Sequence, residues 1–406
     1  MILDYMLLEL ILAIVIGILI GIVTGITPGI HINLVAAIAL GFSGIILIHF
    51  TPLALVLFLV SLSITHTFVD YVPSIFLGAP DDDNFLSILP GHEMLTQGKA
   101  YHAVVYTLYG SAVALLIILI FSPLFFFFLP KIYPYAERIM PFILILAVIF
   151  LIYFEKTSRP WALLIFLLSG ILGLATINLP VKETLLPLFT GLFGISSLIT
   201  SITKKQKIPK QTISKLKNIR IKFSQFLKAI SASMLASPLC SFLPGMGSGQ
   251  AAVIGSEVVG ELNRKEFLVL LGSISTIVTG LSFITLYSIG KARTGVAAAV
   301  QEITILTIPE LAIITLTIII SGIFSFFLTL YISRLFAKFI SKINYSKLSL
   351  GILSFLVIIT LVISGWLGLL ILGVSTLVGL LCIYTGVRRT HLLGSLILPA
   401  ILLYLL

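Results

Sequence analysis

Charge is scarce in this sequence. Only 10% of its 406 residues are Asp, Glu, Lys or Arg, against about 25% in soluble domains, while 59% are hydrophobic and the mean hydropathy is +1.21. No water-soluble core could hide that much apolar surface. Cysteine is nearly absent too: Cys240 and Cys382 stand far apart in apolar surroundings without metal-ligand spacing, which argues against a disulfide scaffold or a zinc site and leaves two small packing residues. Lys and Arg are missing from Met1 to Phe50, so this stretch lacks the basic region of a cleavable signal peptide and is expected to be a mature element. There is no Walker loop, HExxH, paired CxxC or Gly-x-Ser-x-Gly. Direct ATP-driven transport within the chain is therefore disfavoured, and neither enzymatic activity nor a bound cofactor is expected.

What fills the sequence instead is a series of long apolar runs. Leu7 to Ile26, Leu53 to Ile64, Val104 to Leu129, Trp161 to Ala175 and Leu311 to Leu330 each approach the length that a hydrocarbon slab of about 30 Å requires. The reading is an all-α polytopic membrane protein of the cell membrane with roughly ten to twelve embedded segments. Its net charge of +10 is concentrated: Lys204, Lys205, Lys207, Lys210, Lys215, Lys217, Arg220, Lys222 and Lys228 lie in one acid-free connector, nine of the 25 basic residues. The positive-inside rule makes that connector cytoplasmic, near anionic headgroups of the lipid bilayer. Nucleic acid is not an expected partner, because beyond Phe223 and Phe226 the basic residues have no interleaved aromatics.

The connector divides the chain into a first membrane repeat (1–202), the connector itself (203–228) and a second membrane repeat (229–406). Landmarks recur on either side in the same order. Thr27-Pro28-Gly29 answers Leu243-Pro244-Gly245, offset by 244 − 28 = 216 residues, and the block Ser61 to Gly78 answers Ser273 to Gly290, offset by 273 − 61 = 212. With the connector inside, each Pro-Gly region is expected to form a broken or re-entrant helix followed by five crossings. An odd number turns the second repeat upside down, the inverted-topology arrangement found in many secondary transporters.

Proline and glycine inside an apolar run leave backbone groups that hydrocarbon cannot satisfy, so such breaks survive where they line a polar cavity. Around the first stand Thr24, Thr27, Pro28, Gly29, His31 and Asn33; around the second, Pro244, Gly245, Gly247, Ser248 and Gln250. A helix starting after each break aims its positive end at the position where an anion would bind, and a kink or small-residue packing seam is the plainer alternative. His66 and Asp70, four apart, share a helical face beside Tyr71 and are candidates for coupling-ion work, against a structural hydrogen-bonded pair. Asp81, within Asp81-Asp82-Asp83, is a further coupling candidate or a solvated turn. Lys291 and Arg293 suit substrate carboxylates or interfacial anchoring. Glu257 and Glu261 read as a helix end near the cytoplasmic face.

Pro28-Gly29, the block from Gly78-Ala79-Pro80 through Pro90-Gly91-His92-Glu93-Met94 to Gly98-Lys99-Ala100, and Phe242-Leu243-Pro244-Gly245-Met246-Gly247 together resemble the large membrane subunit of tripartite tricarboxylate transporters. The resemblance spans most of the chain. It departs at His31, where the family has a small residue, at Ala79-Pro80-Asp81, which replaces a Pro-Gly-Thr-Pro turn, and in its shorter length, as in a divergent member. The resemblance implies a sodium- or proton-linked carboxylate importer, fed by an extracytoplasmic binding protein and working with a small membrane subunit. Ion-coupled secondary transport of a small organic anion by alternating access is thus the leading expectation. Its rivals are an exporter or flippase of a lipid-linked anion such as a polyprenyl phosphate, a membrane-embedded enzyme using His66, Asp70 and His92, and a scaffold acting through the connector.

Overall fold

A computed structural model describes residues 2–28, 32–79, 85–153, 155–181, 184–203, 208–242, 248–341 and 345–405. All regular structure among the described residues is helical. Before the connector come α1 (Ile2–Ile26), α2 (Ile32–Gly41), α3 (Ser43–His49), α4 (Pro52–Val69), α5 (Tyr71–Leu77), α6 (Ile88–Thr96), α7 (Ala100–Tyr153), α8 (Arg159–Ile177), α9 (Leu185–Phe189) and α10 (Ser196–Thr203), with a wide π turn, Thr190–Ile195, between the last two. After it come α11 (Phe223–Phe242), α12 (Ser248–Val259), α13 (Arg264–Ile289), α14 (Gly295–Ile303), α15 (Ile308–Ile340), α16 (Tyr345–Thr385), the 3-10 turn Arg389–Leu393 and α17 (Gly394–Leu405).

Local chemistry sets several of these boundaries. Thr51 caps α4 through the Ala54 amide, with Pro52 in the first turn, where its missing N–H costs nothing. Asn263 and Glu266 form a reciprocal capping box at the start of α13. Gly78 and Gly290, matched in the sequence, end α5 and α13 in the same left-handed conformation (φ 68° and 67°).

Two helical layers take the centre. The run Pro52–Leu77 is 83% buried over its most apolar stretch and α13 is 94% buried, whereas α1 is only 17% buried and presents Leu7, Leu19 and Val23 outward. Since hydrocarbon offers helices no hydrophobic drive to associate, close approach through small residues substitutes for it. Along α1, Gly17, Gly21 and Gly25 face Ser61, Thr65 and Val69 of α4. Ser233 of α11 meets Ser273 of α13, Oγ to Oγ 2.8 Å. Gly110 of α7 lies against the Val269 carbonyl of α13, and Gly272 lies against the Thr107 carbonyl. Ser325 of α15 donates to Thr65 Oγ1 of α4 at 2.9 Å.

Contacts fix which ends lie together. At one end of the bundle, Lys228 donates to the Glu261 carbonyl (2.7 Å), Lys156 pairs with the Glu261 side chain, Arg264 pairs with Glu93, and Arg334 donates to the Tyr101 hydroxyl (3.1 Å). The start of α11 and the end of α12 therefore meet there, as the two arms of a hairpin. The hairpin α1 to α3 closes differently: Thr51, just after α3, donates to the Glu9 carboxylate near the start of α1 (2.9 Å).

Among the described residues, seven helices are long and apolar enough to cross a membrane, with three shorter apolar helices beside them. One long run turns back and another is kinked. In α7, Tyr133 reaches Lys291 beyond the far end of α13, yet Lys156 returns to Glu261 just before α13 begins. The reversal falls where Pro130 and Pro134 weaken the helical ladder. In α16 a kink falls at Gly365, whose φ of 66° and ψ of −163° are open to glycine alone.

The connector is no loose tether. Gln211 accepts from the Ala100 amide and donates to the Leu95 carbonyl (2.9 and 3.0 Å), the Thr212 amide donates to the Gly98 carbonyl (2.8 Å), and the Tyr109 hydroxyl donates to Leu216 and Ile219 carbonyls. It is strapped along the start of α7.

Candidate functional site

Polar side chains are concentrated where apolar burial is deepest. On α4 and α5 the buried residues include Ser61, Ser63, Thr65, His66, Thr67, Asp70, Tyr71 and Ser74. On α13 they include Ser273, Ser275, Thr276, Thr279, Ser282 and Thr285. Burying such groups costs free energy unless they find hydrogen-bond partners, and several do so locally. Thr67 donates to the Ser63 carbonyl, Ser74 to the Asp70 and Ala79 carbonyls, and Ser282 lies 3.3 Å from Thr294.

His66 and Asp70 do share one helical face, with the Asp70 amide donating to the His66 carbonyl at 2.9 Å. Asp70 stands at the junction of α4 and α5. His66 also crosses to the neighbouring helix: its Nδ1 lies 3.1 Å from Thr24 Oγ1, on the last turn of α1. Thus the candidate coupling residues adjoin the first break, which begins just after Thr27, whose hydroxyl folds back onto the Val23 carbonyl. The sequence left these as separate candidates; the structure brings them together.

Pro28 follows α1 in a turn, and Asn33 and Gln250 lie near the starts of α2 and α12. Ser248 opens α12 and is buried. Gly29, His31, Asp81, Pro244, Gly245 and Gly247 lie outside the described residues. Lys291 and Arg293 stand beyond the end of α13 at the aromatic face of Tyr133, with Lys291 Nζ donating to its hydroxyl at 2.6 Å and the two cations 4.5 and 5.9 Å from its ring centre. Such a cage orients both cations at the bundle end.

A second cluster was barely signalled by the sequence. Glu155, between α7 and α8, is bonded to His391 (Oε2 to Nε2, 2.7 Å), which is separated from it by most of the chain. Arg388 reaches Glu155, Glu257 of α12 and the Leu151 carbonyl. Burial pushes the Glu155 carboxyl up, but hydrogen bonds from the Thr157 amide, His391 and the Arg388 amide outweigh it and hold the group at about 2. Next to it, Arg389 spreads its fork over the Leu192 and Phe193 carbonyls (2.7 and 3.0 Å) and Ser196 Oγ (2.7 Å), and also touches Ser197. Only the bare sequence Arg388-Arg389, basic residues between two apolar runs, hinted at either. Both cysteines are buried. Among the described residues, no group of three His, Cys, Asp or Glu side chains could hold a metal ion.

A bundle of apolar helices, several long enough to cross a bilayer and wrapped around a hydroxyl-rich centre, defines a multi-pass membrane protein. More particularly, the chain belongs to the TctA family: the family model described as tripartite tricarboxylate transporter TctA family matches residues 11–394. It is a member of a transporter family, as the Pro-Gly motifs implied. It is also 32% identical over 359 residues to the Uncharacterized protein MJ1079 of Methanocaldococcus jannaschii, covering 86% of this chain and 88% of that protein. No solved structure matches it.

Proposed function

We propose that this protein is a secondary active transporter that carries a small organic anion of the carboxylate class across the cell membrane by alternating access, coupled to sodium or protons. The observation that carries the reading is the pairing of two helical hairpins with two buried, hydroxyl-rich helices. α1 to α3 lies along α4 and is closed by Thr51 and Glu9; α11 to α12 lies along α13 and is closed by Lys228 and Glu261. One contact recurs in both: Gly17 against Ser61 corresponds, by the offsets of 216 and 212, to Ser233 against Ser273.

We read the two repeats as inverted, with the hairpins opening toward opposite faces and the connector, 203–228, in the cytoplasm. The starts of α2 and α12 then offer amides and partial positive charge to a carboxylate. Asp70, with His66 beside it, supplies the cation or proton site. A carboxylate in a low-dielectric interior is costly to ionise, so its occupancy changes with the coupling ion. An extracytoplasmic binding protein and a small membrane subunit are the partners that membership of the family suggests.

Uptake into proteoliposomes tests this. Citrate and smaller dicarboxylates should accumulate under a sodium or proton gradient and not without one. Asp70→Asn should abolish accumulation while sparing substrate exchange, because the amide mimics a permanently occupied carboxyl. A variant that still concentrates substrate at the wild-type rate removes Asp70 from the mechanism; transport of anionic lipid alone would replace the carboxylate reading.

A further inference from the structure

The charged cluster around Glu155 is unused by this transport scheme. The Glu155 and His391 side chains are 1% and 0% exposed. Glu155 Oε1 accepts from the Thr157 amide (2.9 Å); Oε2 accepts from the Arg388 amide (3.2 Å), Arg388 Nε (3.4 Å) and His391 Nε2 (2.7 Å). An ionised carboxylate can only accept, so the neutral imidazole must carry its hydrogen on Nε2 and keep a lone pair on Nδ1. That Nδ1 is buried and has no hydrogen-bond partner in the described structure. A proton added there breaks no existing bond.

The surroundings set the consequence. From α12, Glu257 Oε1 accepts from Arg388 Nη1 at 3.2 Å, so one guanidinium bridges two carboxylates on different elements. From α16, the Cys382 thiol faces the Val387 and Arg388 carbonyls. From α8, uncharged Ser169 donates to the His391 carbonyl (3.2 Å). Arg389 is turned away onto carbonyls of the π turn, and Lys156 with Glu261 forms an exposed pair outside the cluster.

We propose that His391 and Glu155 bind one proton, at His391 Nδ1, and thereby govern how tightly α12 is fastened to the bundle. With the imidazole neutral, Glu155 competes with Glu257 for Arg388. Once protonated, the imidazolium neutralises Glu155, and Arg388 is left to Glu257, which pulls the returning arm of the second hairpin against the 3-10 turn. The proposal rests on the transport reading in treating α12 as a moving arm, and it makes the proton a coupling ion at a place other than Asp70.

The whole protein in lipid nanodiscs, with ¹⁵N-labelled histidine, provides the test without any substrate. One histidine should pass from the Nε2–H tautomer to imidazolium between pH 8 and 5, and its signal should vanish in His391→Gln. Glu155→Gln should move that transition to lower pH by about one unit or more, since an opposite charge in contact typically shifts a titration by that much. Amide exchange across 248–259, corrected for its intrinsic pH dependence, should slow as the proton binds in the wild type. In Glu257→Gln the histidine should still titrate while this slowing disappears. A His391 that does not titrate in that range, or α12 exchange indifferent to pH in the wild type, overturns the proposal, and both readings are taken on protein that needs no substitution. Should the titration and exchange behave as stated while no carboxylate accumulates in proteoliposomes, the substrate reading falls and the proton site stands.

Discussion

A guanidinium packed among apolar helices needs a carboxylate or a set of carbonyls, and Arg389 has the second. The π turn Thr190–Ile195 widens the ladder, and wide turns leave carbonyls that lipid cannot satisfy. Arg389 covers two of them, at Leu192 and Phe193, together with Ser196. A lysine keeps the charge but not the planar fork. Arg389→Lys should therefore destabilise the protein by about 1–3 kcal/mol, the cost of buried acceptors left unmet, seen as a lower midpoint of thermal unfolding in detergent. A variant as stable as the wild type would mean those carbonyls find other partners. Glu155 gives a pH-dependent expectation. Its folded value, about 2, lies below its ordinary value of 4.5, so its stabilising contribution is complete above that ordinary value and is lost as pH falls toward 2. The stability gap between wild type and Glu155→Gln, followed by thermal unfolding, should widen as His391 takes up its proton and then narrow as pH falls below about 4. A gap that stays constant down to pH 3 would contradict an ionised, hydrogen-bonded Glu155.

Between elements, the tightest approach is backbone to backbone, where α7 crosses α13. A Cβ on Gly272 would meet the Thr107 carbonyl, and one on Gly110 the Val269 carbonyl. Neither neighbour is a side chain that can swing aside. Gly272→Ala should cost about 1–3 kcal/mol or more through overpacking, while Gly351→Ala, on α16 with nothing within 4 Å, should be neutral or gain a few tenths from helix propensity. Equal melting behaviour of the two variants would count against this contact. The contrast also marks what sequence could reveal. The end of α1 before Pro28, the paired ends at Gly78 and Gly290, and the common face of His66 and Asp70 were legible because each depends on residues a few positions apart. The fold-back within α7 was not, since four internal prolines say that the helix is weakened but not which of them turns it. Nor was the strap formed by 208–222: its lysines signal a solvated segment, while the hold comes from Gln211 and from backbone groups that every sequence possesses. The meeting of Glu155 with His391 is purely tertiary.

For the whole molecule the question is whether the two hairpins open toward opposite faces, because alternating access by inverted repeats depends on it. The chain after the first hairpin passes from Thr51 through the full length of α4 and α5 to Gly78, which lies near Leu198 in α10; α10 leads into the connector. The second hairpin begins directly after that connector, and α12 returns to it through Glu261 and Lys228. If both descriptions hold within one bilayer, Phe50 and Ser224 occupy opposite surfaces. Both are exposed, and both native cysteines are buried, so Phe50→Cys and Ser224→Cys can be labelled above a low background. With the basic connector in the cytoplasm, as proposed, a membrane-impermeant maleimide should modify Phe50→Cys in intact cells, and should modify Ser224→Cys only after the membrane is opened. Labelling of both from the same side would place the hairpins in parallel and remove the inverted arrangement, and with it the route by which one central site is reached from either face.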